Sequence, residues 1–237
     1  MPVSPRDPGL KPTSRGALVV ATLVLFVVNA FVPFGGALLY PLTLLATWVH
    51  EMGHGITAMV LGGGFTSLDV FANGSGLAHT SIPDDWRHGF VALGGLVAPP
   101  VAGALLLAVS RGPRRARLVL AGVAVAVVLS LVVWVRSIAG WIGLPIDAAA
   151  IAIFAAWGGP RERMVFAQLV GVSLALDTWT GKGYLFTDSA FVDGVLRPSD
   201  IATVAHAFGG PYLVWGVLVL AVSLALLALG FRSAWRR

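Results

Sequence analysis

The stretch TLLATWVHEMGHGITAMVLGGG, Thr43 to Gly64, decides how the rest of the chain is read. It is apolar enough to be buried in a membrane, yet His50, Glu51 and His54 lie inside it. An ionisable side chain within a membrane helix is costly, so such a cluster marks a functional site by default.

His50-Glu51-Met52-Gly53-His54 fits H-E-x-x-H. Residues i and i+4 of a helix share one face, so both imidazoles can address one metal ion. Glu51 sits about 100° round the helix, within reach of a metal-bound water. Two imidazoles, a third ligand and an open position suit zinc. Zinc lowers the pKa of bound water towards about 7, and Glu51 would take the proton as general base and return it to a departing amine. A structural His–Glu network is the competing reading, and the cost of burying it in lipid weighs against it.

Composition extends this reading to the whole chain. Of 237 residues, 57% are hydrophobic and only 11% charged, against about 25% charged in a soluble domain. Mean hydropathy is +0.86. Such a chain cannot cover its surface with polar groups, so the lipid bilayer must cover much of it. Ala17–Pro33, Ala37–Leu61, Gly89–Val109, Leu118–Val135 and Tyr212–Phe231 are long enough to span, and Ile146–Trp157 and Val165–Trp179 are shorter or interrupted runs. The expected fold is an α-helical polytopic membrane protein with six or seven transmembrane helices and a small β-hairpin after the HExxH helix. Residues 1–16, rich in proline and charge, read as a disordered tail; 17–231 as one membrane domain, its first run a retained span; and 232–237 as a basic tail.

The absence of cysteine excludes disulfides and thiolate chemistry. A net charge of +5 does not imply nucleic acid as a partner. The basic residues gather at helix ends, as in RGPRRAR, Arg111 to Arg117, a short loop between spans.

Between Gly64 and the next apolar run, FTSLDVFANGSGLAHTSIPDDWRHG alternates apolar and polar residues around Asn73-Gly74, which predicts strands over Phe65–Phe71 and Gly76–Ile82. ALGGLVAPPVAGALLL, Ala92 to Leu107, reads as a small-residue helix suited to close packing, interrupted by Pro99-Pro100, which mark a kink or break. RPSDIATVAHAFGGP, Arg197 to Pro211, predicts a short interfacial helix with Ser199 or Asp200 as N-cap and Gly209-Gly210 as its stop.

Two histidines need a third protein ligand. Asp177 is the leading candidate, as the one carboxylate in the apolar run LVGVSLALDTW, Leu169 to Trp179. Asp193 in FVDG, His79 on the predicted hairpin and Asp147 after Pro145 are the alternatives, while Asp200 is assigned to helix capping.

HEMGHGITAMVLGGGFTSLDV, GSGLAHT and ALGGLVAPPVAGALL together resemble the site-2 protease type of intramembrane zinc metallopeptidase, in its compact bacterial and fungal branch. LALDTW and RPSDIATVAHAFGGPYLVWGVLVL are similar to that branch's aspartate-bearing helix, Ser-Asp motif and final helix. The resemblance implies that His50 and His54 bind zinc, that Glu51 is catalytic, and that an aspartate completes the site. In the family this aspartate is usually followed by glycine; Asp177 lacks that glycine and Asp193 has it. The implied activity is hydrolysis of peptide bonds in or near the membrane, on a membrane protein or peptide substrate, in a bacterial plasma membrane. A non-catalytic membrane metal-binding scaffold or regulator is the alternative. An ion transporter fits less well, because the chain shows no inverted repeat. Substrate, orientation and oligomeric state are open at this stage.

Overall fold

The computed structural model describes residues 35–235 apart from 84 and 181–183, together with 24, 27, 28 and 32. The expected tail over 1–16 and most of the expected first span therefore lie outside the described residues. Among those described there are eight helices and two small β-hairpins. α1 is Gly35–Leu38, α2 Tyr40–Val60, α3 Arg87–Val109, α4 Pro113–Val133, α5 Ile138–Trp157 and α6 Pro160–Thr180. α7 is Asp200–Phe208 and α8 Tyr212–Trp235. Four stretches are long and apolar enough to cross a membrane: Arg87–Val109, Pro113–Val133, Ile138–Trp157 and Tyr212–Ala234.

The helix starts follow from local chemistry. α2 and α4 carry proline in their first turn, where the missing N–H costs no helical bond. Ser137 caps α5 by accepting from the Gly140 N–H. α5 begins eight positions before the expected Ile146 and runs through Pro145. A membrane helix tolerates a proline where neighbours re-satisfy the backbone.

α3 is the centre of the bundle, packing against α2, α6, α7 and α8. Its crossing with α2 is close because glycine meets glycine: a Cβ at Gly53 would strike the Gly94 carbonyl and Ala98. On the far side of α2, buried Trp48 donates its indole N–H to Ser130 Oγ of α4 at 2.7 Å.

β1 (Gly64–Val70) and β2 (Gly76–Ser81) form the expected hairpin, each within a residue or so of its predicted bounds. Gly74 adopts φ +84° at the tip, and Phe71 and Ser75 close the turn with a 2.8 Å bond from the Phe71 N–H to the Ser75 carbonyl. β1 buries Leu68 and Val70 completely. Its outer edge is already paired: the Leu68 N–H donates to the Trp134 carbonyl at 2.9 Å and the Arg136 N–H to the Leu68 carbonyl at 3.1 Å. Leu68 faces Ala78 across the hairpin, so Leu68 pointing its polar groups outward makes this a non-hydrogen-bonded pair. Ala78 must then direct its own N–H away from β1.

The second hairpin, β3 (Ser189–Val192) with β4 (Val195–Pro198), was not expected from sequence. Asp193 (φ 50°) and Gly194 (φ 75°) form its two-residue turn, both in the left-handed region that such turns require.

Ser137 joins two of these elements, since its Oγ also accepts from the Val70 N–H at 2.8 Å. Ser137→Ala removes a cap and leaves the Val70 N–H without its partner. We expect a loss of about 2 kcal/mol, read as a lower denaturation midpoint of the detergent-solubilised chain.

Candidate metal centre

His50 and His54 occupy successive turns of α2, with ring centroids 4.7 Å apart and planes at 80°. The His54 ring lies over Gly95 of α3, where any Cβ would run into it. Its Nδ1 is 2.8 Å from the Val91 carbonyl. A carbonyl only accepts, so Nδ1 carries a proton, and in the neutral ring Nε2 keeps a lone pair. That lone pair faces His50 Nε2 at 3.0 Å.

Asp200 supplies the third atom. Its Oδ2 lies 2.9 Å from His50 Nε2 and 3.2 Å from His54 Nε2. The three side chains are only 12–18% exposed. Burial by itself would raise the Asp200 carboxyl, but the two adjacent imidazoles outweigh it and hold the group well below the usual carboxylate range.

Asp200 reaches this position from the first turn of α7. Ser199 is the N-cap: its Oγ accepts from the Ala202 N–H at 3.1 Å and donates to the Thr187 carbonyl at 2.6 Å. One cap is enough, so Asp200 is free to turn towards α2. Ile201 and Val204, fully buried in a cluster with Ala92 and Leu96 of α3, hold α7 in place. The cue was present in the sequence as two adjacent cap residues, of which a helix needs one.

Asp177, the expected third ligand, stands near the end of α6, half-buried. Its charge interacts with that of His50, but among the described residues it forms no ion pair with either histidine. Asp200, not Asp177, is the carboxylate brought into contact with them. The alternatives lie elsewhere. Asp193 is exposed in the β3–β4 turn. His79 pairs with Asp69 across the first hairpin at 2.9 Å. Asp147 is buried on α5 beside Tyr40 and Leu44.

Glu51 is 5% exposed, and one ligand atom from each of His50, Glu51 and His54 lies within 4.8 Å of the others. Its carboxylate lies beside the outward-facing backbone of Ala78 in β2. Gly76 of the same strand packs directly on Glu51 and Thr47, with no room for a side chain. Thr47 in turn donates to the Gly74 carbonyl at 2.7 Å. The hairpin is thereby fastened along the face of α2 that bears Glu51.

The donor set fits a divalent cation. His54 Nε2 and Asp200 Oδ2 are both acceptors, and they face a second imidazole nitrogen at hydrogen-bond range. A divalent cation placed among them would be met by a lone pair from each. Ligands at about 2.0–2.1 Å from a tetrahedral zinc lie about 3.3 Å from one another. The observed separations of 2.9–3.2 Å need only a small expansion to reach that.

Residues 17–230 match the family described as Peptidase M50B-like. The chain belongs to that family, the site-2 protease family, whose members are membrane metallopeptidases with a catalytic metal. Its four apolar helices agree with an integral membrane protein. No curated protein and no solved structure matches the chain.

Gly95→Val would push against the His54 ring and pull Nε2 out of line. We expect metal affinity about 10–100-fold weaker, measured by competition with a chelator. Gly122→Val is the control, since the space beside Gly122 is open.

Proposed function

We propose that this chain is a zinc-dependent intramembrane endopeptidase in which His50, His54 and Asp200 hold the metal and Glu51 is the general base. The observation that carries this reading is the convergence of His50 Nε2, His54 Nε2 and Asp200 Oδ2, with the Glu51 carboxylate beside them. Zinc bound there would polarise a scissile carbonyl and lower the pKa of a water molecule towards about 7. Glu51 takes the proton from that water and returns it to the amide nitrogen as the peptide bond breaks. The backbone of β2 at Gly76 packs against the Glu51 side chain and would limit its movement.

β2 supports a peptide substrate over other acyl compounds. Its edge away from β1 is the one that turns polar backbone groups towards Glu51. An extended segment of a membrane protein could add to that edge and lie with a peptide bond at the site. The membrane domain over 17–231 would hold seven membrane segments: the four apolar helices, α2, α6 and the run before α1. We place the protein in a bacterial plasma membrane.

Purified wild type should contain about one zinc per chain. His54→Ala and Asp200→Asn should lose it, and Asp177→Asn and Glu51→Gln should keep it. Zinc lost in Asp177→Asn but kept in Asp200→Asn would give the third position to Asp177. Glu51→Gln should lower cleavage of a reconstituted membrane peptide by about 10²–10⁴-fold. Zinc bound by wild type without any cleavage would favour the scaffold reading.

A further inference from the structure

A second buried carboxyl lies apart from the metal centre. Asp147 sits midway along α5, an apolar helix long enough to span a membrane, and is 6% exposed. Its Oδ2 is buried and has no hydrogen-bond partner among the described residues. A carboxyl in that position is expensive unless something meets it.

Asp147 lines a cavity of about 280 Å³ between the start of α2, the first hairpin and α5. The other walls are Pro41, Leu44, Ala139, Ile142, Gly143 and Ile146, with Ala72 and Tyr40 at the hairpin side. The Tyr40 hydroxyl donates its proton to the Ala72 carbonyl at 3.0 Å. Asp147 is therefore the only ionisable carboxyl in an otherwise apolar chamber.

We infer that this cavity is a binding site for an aliphatic ammonium group: the apolar walls take the hydrocarbon stem and Asp147 takes the charged end. A divalent ion would find one carboxylate and no second acidic or imidazole ligand among the lining residues. An anion would be repelled. A guanidinium brings five N–H donors, most of which would stay unsatisfied against these walls. An ammonium is a compact charge that one carboxylate, that of Asp147, can meet. The volume accommodates a four-carbon chain with room to spare. Two sources carry this chemistry, a lysine side chain of a peptide and the ethanolamine headgroup of a lipid.

The site does not depend on the peptidase reading, and the test keeps them separate. n-Butylamine binding to the detergent-purified full chain is measured calorimetrically, with n-butanol and butyrate as controls. We expect saturable binding of the amine alone, at least tenfold weaker in Asp147→Asn and in Ala139→Phe, which fills the chamber and leaves Asp147 intact. His54→Ala should bind butylamine as wild type does, whether or not it holds zinc. No amine binding to wild type, or equal binding in Asp147→Asn, overturns the inference. Displacement by an apolar lysine-bearing peptide assigns the site to a peptide, displacement by phosphatidylethanolamine nanodiscs assigns it to lipid, and displacement by neither leaves it a site for small free amines.

Discussion

The site depends on how closely α2 approaches α3. A hydrogen bond from the His54 ring to the Val91 carbonyl is possible only if the helices nearly touch, and Gly53 against Gly94 permits that. Gly95 then leaves a slot into which the ring fits. The consequence is chemical as well as steric. With Nδ1 committed as a donor, Nε2 of the neutral ring can only accept, and the geometry points it at another nitrogen and a carboxylate. Packing of small residues is thus converted into a cluster of electron-rich atoms that a cation stabilises. Membrane interiors strengthen this coupling, because the low dielectric makes an uncompensated charge there expensive.

Asp200 comes to the cluster by a different route. It is carried on a nine-residue helix whose own formation is too weak to fix it. Its position is set by two apolar side chains, Ile201 and Val204, buried against α3, and by Ser199, which bonds both the first turn and the preceding loop. α3 is therefore the common reference for both halves of the site: it receives His54 from one side and α7 from the other.

What could be read in the sequence followed what is local. The H-E-x-x-H spacing fixes the relation of His50, Glu51 and His54 through helical geometry alone. The first hairpin was legible because period-two alternation flanks Asn73-Gly74, and its strands fall close to the expected limits. Asp193-Gly194 is an equally good turn signal, but its strands are only four residues each, too short for alternation to register. An apolar setting singles out Asp177, and capping alone accounts for Asp200 in the sequence. Both are properties of single residues, whereas the meeting of α7 with α2 is a long-range contact across 150 positions of chain. Periodicity carries no information on such a pairing.

The two edges of the first hairpin explain why a sheet belongs in this site at all. β1 is closed on its outer side by the segment after α4, through bonds at Leu68 and Val70. β2 is left with its outward N–H groups on the side of Glu51. A helical segment entering from the bilayer has its backbone bonds satisfied internally, and its scissile carbonyl is enclosed by its neighbours. In the proposed reading, it must unwind to present a peptide bond beside Glu51, which leaves several N–H and C=O groups without their helical partners. On that reading, the outward side of β2 beyond its contact with α2 would supply partners for those groups, and only for a chain that is extended. The same feature would therefore both offset the cost of unwinding and select segments that unwind readily, such as those interrupted by glycine or proline.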